Sequence, residues 1–164
     1  MNGVAFDAGG LIALDGRHHR VLTLIARANE VGARITIPTT ALAQAIRNPA
    51  RQVLISRLIR QVGTDLVPLD GPDATAIGLL LARAAAADIV DAHVVVCAQR
   101  AGQAVITSDP DDLARLAPGL RVFVFNIEPV NPWRYCLTRF LRRAKPVRPL
   151  RFRFLFALHF ALHV

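Results

Sequence analysis

The chain has 164 residues, 53% of them hydrophobic, a mean hydropathy of +0.37 and a formal net charge of +8. That length supports one domain with a proper core and is short for two, and the composition excludes an intrinsically disordered chain. Residues 1–128 hold 12 arginines against 12 acids, so the whole excess comes from seven arginines and Lys145 in residues 129–164. Net charge therefore gives no ground for reading residues 1–128 as a basic nucleic-acid binder.

The first apolar run, residues 4–6, reads as a short buried strand that ends on a carboxylate, Asp7. No basic segment precedes it, and Asp7 stands where a signal peptide would be apolar, so a cytoplasmic protein is expected. Residues 9–14 and 21–31 read as helix, and His18 and His19 open the second of these as a solvated pair. Residues 34–37 alternate into Pro38 as a second strand. Thr39 or Thr40 can cap a helix through Ile46, which Asn48 and Pro49 break. Residues 52–62 follow as helix and 65–69 as a third strand. Asp73 is expected to start a helix through Ala86, and Asp91 one through Arg100 that Gly102 ends. A fourth strand spans 104–107, Asp109 and Pro110 open a short helix, and a fifth strand spans 121–125.

Strands alternating with helices argue for an α/β domain with a parallel sheet, complete by Asn126. Residues 127–164 form a basic and apolar tail punctuated by Pro129, Pro132, Pro146 and Pro149. It is expected to lie outside the core, as disordered chain or an altered reading frame, against attachment to a membrane surface, RNA or a dimer partner. No segment reaches the roughly 20 apolar residues of a membrane span. Cys97 and Cys136 form neither a CxxC pair nor a zinc spacing, and Cys97 reads as a buried, inert thiol.

Ligands of open parallel sheets collect beyond the carboxyl ends of the strands, where strand order reverses. With the order 3-2-1-4-5, Asp7 after strand one and Asp109 after strand four meet at that point. Asp88 and Asp91, spaced i, i+3 at the start of the helix before strand four, can turn toward the same cleft. Each acid alone has a simpler reading as a helix cap, and Asp111 and Asp112 read as first-turn charges that favour the helix dipole. Gathered together they would repel one another unless a cation held them, and an all-oxygen set suits Mg²⁺ or Mn²⁺. Receiver domains and haloacid-dehalogenase-type phosphatases need a lysine that residues 1–128 lack.

FDAGGLIALD, ALAQAIR, DIVDAHVVV and VITSDPDDL, in this order, resemble the PIN-domain family, more narrowly the VapC-type toxins of toxin–antitoxin pairs. The resemblance covers about residues 3–125. It implies a PIN-like three-layer α/β/α sandwich and a Mg²⁺- or Mn²⁺-dependent endoribonuclease that dimerises with itself and is silenced by a cognate antitoxin. By position it puts the metal-holding acids at Asp7, Asp91 and Asp109, with Thr107 or Ser108 beside the last. The family usually carries a glutamate where this chain has Gln44, so Asp88 becomes the natural fourth carboxylate. Arg47 and Arg51 are candidates to hold RNA phosphates. His93 reads as a packing or dimer-surface residue. The competing reading, prompted by Gln44, is a weakened or inactive PIN module that binds RNA or protein.

Overall fold

A computed structural model of the protein describes residues 3–126. The expected tail, residues 127–164, lies outside the described residues. The elements in chain order are β1 (Gly3–Phe6), α1 (Ala8–Asp15), α2 (His19–Glu30), β2 (Arg34–Pro38), α3 (Thr39–Ala45) and α4 (Val53–Leu58). They continue with β3 (Thr64–Val67), α5 (Gly71–Ala84), α6 (Ile89–Ala101), β4 (Ala104–Thr107), α7 (Pro110–Leu116) and β5 (Val122–Val124).

The five strands form one parallel sheet in the order β3-β2-β1-β4-β5, as the sequence led us to expect. Parallel strands covered on both faces read as continuous apolar runs, and every residue of β1 and β4 is buried. Side chains alternate between the two faces. Val4, Phe6 and Ile106 join Leu11, Val21, Ile25 and Ile55 in one core, beneath α1, α2 and α4. Ala5 and Val105 join Ile77, Val94, Ala98 and Leu113 in the other, beneath α5, α6 and α7. These are the three layers that the sequence implied. Gly3 sits at φ 136°, and a Cβ there would land on the Arg34 carbonyl oxygen, so β1 can enter beside β2 only as glycine.

Two helix starts differ from expectation. α5 is capped by Asp70, which accepts from the Asp73 N–H at 2.8 Å, and α6 by Asp88, which accepts from Val90 and Asp91 N–H at 2.8 and 3.0 Å. In both cases an aspartate stands three residues before the expected cap, and its oxygen reaches the orphan N–H groups first. Asp73 and Asp91 are thereby released from capping. The helix expected over 52–62 stops at Leu58 and turns, leaving Val62 almost fully exposed. β3 ends at Val67, before Pro68, which has no N–H to give to a ladder.

Candidate active site

β1 and β4 are neighbours at the point where strand order reverses, with Phe6 opposite Ile106. Asp7 and Thr107 therefore leave the sheet side by side. Asp7 is buried, and its carboxylate caps α1 by accepting from the Gly10 N–H. The capping reading of Asp7 holds, and it leaves the second carboxylate oxygen free of that task. The glycine pair after Asp7 is explained by the same turn. A Cβ at Gly9 would come within 2.6 Å of the Ser108 hydroxyl, and one at Gly10 within 2.7 Å of the Ile106 carbonyl. The carboxylate can fold over the start of α1 only because nothing projects from those positions.

Thr107 is fully buried, and its hydroxyl accepts from the Asp109 N–H at 2.9 Å. Asp109 precedes α7 and makes no side-chain cap, so its exposed carboxylate is not consumed by the helix it was expected to start. Asp91 sits in the first turn of α6, half-buried, one turn from the capping Asp88. Among the described residues, none of Asp7, Asp88, Asp91 and Asp109 has a basic partner within ion-pair distance.

The electrostatics place these groups in one field. Burial holds the Asp7 carboxyl above its ordinary value and the Asp109 charge adds to this, while the Thr107 hydroxyl and the Gly10 N–H favour the charged form. Asp91 is pushed up to about 6, first by burial and then by the charges of Asp88, Asp7, Asp112 and Asp109. Asp112, read from the sequence as a first-turn charge, thus also faces Asp91, although an ion pair with Arg115 partly occupies it. Its signal was the run Asp109-Pro110-Asp111-Asp112, in which positions i and i+3 share a helix face.

A consequence for stability follows from the Asp91 shift. The folded chain keeps this proton up to about pH 6, whereas an unperturbed aspartate loses it near 3.8. Between those values the folded state binds more protons than the unfolded one, so metal-free stability falls as pH rises through the window. Thermal unfolding in chelator should show that fall, and Asp91→Asn should flatten it.

Gln44 lies exposed on α3, a helix that packs against α1 and α6, which follow Asp7 and carry Asp91. Arg47 and Arg51 are exposed on the connection between α3 and α4. The Arg47 guanidinium folds back onto the Ala43 and Ile46 carbonyls at 3.3 and 2.9 Å, so Arg51 is the freer of the two to meet a phosphate.

His18 is not a solvated residue as expected: its Nε2 lies 3.1 Å from the Asn126 carbonyl and its ring packs on Phe125 at 5.2 Å. The apolar Phe125, far along the sequence, gave no local sign of this contact. His93 is fully buried and so is not part of an exposed surface. Cys97 is buried as expected, and burial, reinforced by Asp70, pushes its thiol up to about 11. A thiol held that strongly protonated is inert as a nucleophile. No helix among the described residues is long and apolar enough to cross a membrane.

A family model described as the PIN domain matches residues 7–118. No curated protein matches the chain. Among solved structures the fold is similar to VapBC2 from Rickettsia felis bound to a fragment of its promoter DNA, at TM-score 0.56 and 10% identity over 75% of this chain and 98% of that one. It is also similar to FitAcB from Neisseria gonorrhoeae, at TM-score 0.52 and 14% identity over 73% and 96% of the two chains. A FitAB complex with an IR36 DNA fragment gives TM-score 0.53 at 15% identity, over 74% and 94%.

Proposed function

The chain belongs to the PIN-domain family, and on that footing we propose that it is a Mg²⁺- or Mn²⁺-dependent endoribonuclease, the toxin of a VapC-type toxin–antitoxin pair. One observation carries this reading: Asp91, held at about 6 first by burial and then by the charges of Asp88, Asp7, Asp112 and Asp109, shares its surroundings with Asp7 and Asp109, and no basic side chain among the described residues pairs with any of the three. Carboxylates brought this close are relieved by a hard cation, and an all-oxygen donor set fits one. When bound, such a cation lowers the pKa of water and stabilises charge on the transferring phosphoryl group and the leaving oxygen.

In this reading Asp7, Asp91 and Asp109 hold the cation. Asp88 adds charge from the rim while its Oδ1 caps α6. Gln44 offers a neutral amide oxygen in place of the glutamate usual in the family. Thr107 fixes the Asp109 backbone, and the Ser108 hydroxyl closes over Gly9. Arg51, with Arg47 behind it, takes the substrate phosphates from the neighbouring loop. The similar folds are found in VapBC and FitAB complexes, which supports a cognate antitoxin as partner. A cytoplasmic homodimer accords with family membership.

The test is incubation of purified protein with RNA and Mg²⁺ or Mn²⁺. Cleavage should appear with either ion, stop on addition of EDTA and return when the ion is restored. Gln44 favours a second reading, a PIN module that binds RNA or protein without cutting it. Metal-replete protein that binds RNA and leaves it intact would establish that alternative.

A further inference from the structure

Behind α6, on the side away from Asp91, three different metal-ligating groups come together. Asp73 of α5 and His93 and Cys97 of α6 are all buried, and one ligand atom of each lies within 4.8 Å of the others. His93 and Cys97 are four residues apart, hence on one helix face. Asp73 stands four residues before the buried Ile77 on α5 and so faces α6.

The histidine is the telling member. Its Nδ1 lies 2.8 Å from the Thr40 hydroxyl, while its Nε2 is fully buried with no hydrogen-bond partner. That nitrogen points at Asp73 Oδ2 from 3.7 Å, too far for a hydrogen bond. The Thr40 hydroxyl can accept from Nδ1–H, and in that tautomer Nε2 turns its lone pair toward Asp73 and is free to take a metal ion. The edge of a tetrahedral N/O/S site around zinc is about 3.3–3.6 Å, close to the 3.7 Å between His93 Nε2 and Asp73 Oδ2. A ring nitrogen fixed by an outer hydrogen bond with the other aimed inward is the usual posture of a metal-bound histidine.

We infer that Asp73, His93 and Cys97 form a second metal site, selective for a borderline-soft divalent ion such as Zn²⁺ and separate from the all-carboxylate cleft. Thiolate, imidazole and carboxylate select Zn²⁺ over Mg²⁺, so the two sites sort ions by donor type. Arg100, half-exposed, pairs with Asp73 Oδ1 and reaches Oδ2 at 3.4 Å. It marks the way in from solvent and yields Oδ2 when the ion arrives. Binding releases the Cys97 proton and ties α5 to α6 through three side chains.

The experiment uses the full-length chain carrying Cys136→Ser, which leaves Cys97 as the sole thiol. Titration with Co²⁺ should produce thiolate-to-cobalt charge-transfer absorption that saturates near about one equivalent. Zn²⁺ should displace the cobalt, and excess Mg²⁺ should not. Asp7→Asn should leave the band unchanged, since that aspartate belongs to the cleft. Thr40→Val should weaken Co²⁺ affinity about 10- to 100-fold while keeping the band. A band that survives Cys97→Ala, or a folded Cys136→Ser protein that shows none, overturns the assignment.

Discussion

Asp7→Asn, Asp91→Asn and Asp109→Asn should each lower RNA cleavage by more than about a hundredfold and leave the protein folded. Loss of a group that merely orients a metal ligand costs roughly 10- to 100-fold, so loss of a ligand's charge should cost more. The structure explains why the fold should survive. Asparagine caps a helix as well as aspartate does, so Asp7→Asn keeps the bond from the Gly10 N–H. Asp91 and Asp109 make no side-chain cap and no ion pair among the described residues. In chelator the three variants should melt at or above the wild-type temperature, because each removes one charge from a mutually repelling set. Cleavage at the wild-type rate in all three, under matched metal, would contradict the site.

The second large effect concerns how the chain compensates for Gln44. With that position neutral, the cleft relies on Asp88 for a fourth negative charge. Asp88→Asn is a clean removal, since asparagine still accepts from Val90 and Asp91 N–H and the cap of α6 persists. It should weaken Mn²⁺ binding more than a change at a distant surface acid such as Glu30. Gln44→Glu should tighten binding and rescue part of the Asp88→Asn loss. If both positions supply charge to one ion, a double-mutant cycle should show coupling of about 0.5–3 kcal/mol. Calorimetric titration with Mn²⁺ across the four proteins measures it. Strict additivity, with Asp88→Asn matching the Glu30 control, would make Asp88 a helix cap and nothing more.

The fold was largely readable because its signals are local. Short apolar strands separated by helical stretches give the parallel sheet, and Asp7 and Asp109 mark the carboxyl ends of β1 and β4 in the order that brings them together. Boundaries were missed where two candidates for one role stood a turn apart. Asp70 and Asp88 took the caps expected of Asp73 and Asp91, and that outcome is what frees Asp91 for the cleft and Asp73 for the interior. Interactions between distant segments left no local trace. The contacts of His18 with Phe125 and Asn126, and the meeting of Asp73, His93 and Cys97, depend on how helices pack rather than on any spacing within one of them. One clue was available for Asp73: it shares a helix face with Ile77, and an acid on an apolar face asks for a partner, here Arg100.

The most direct test of the central claim is the chemistry left on cut RNA. Attack by an external water at a carboxylate-held cation leaves a 5′-phosphate and a 3′-hydroxyl. Attack by the RNA's own 2′-hydroxyl, driven by histidine, leaves a 2′,3′-cyclic phosphate. His93 is fully buried, so it is not presented to a substrate at the cleft. End-group analysis of fragments cut by the purified, metal-loaded protein should therefore find 5′-phosphate and 3′-hydroxyl termini. Cyclic phosphate ends would contradict the account and move the chemistry away from Asp7, Asp91 and Asp109.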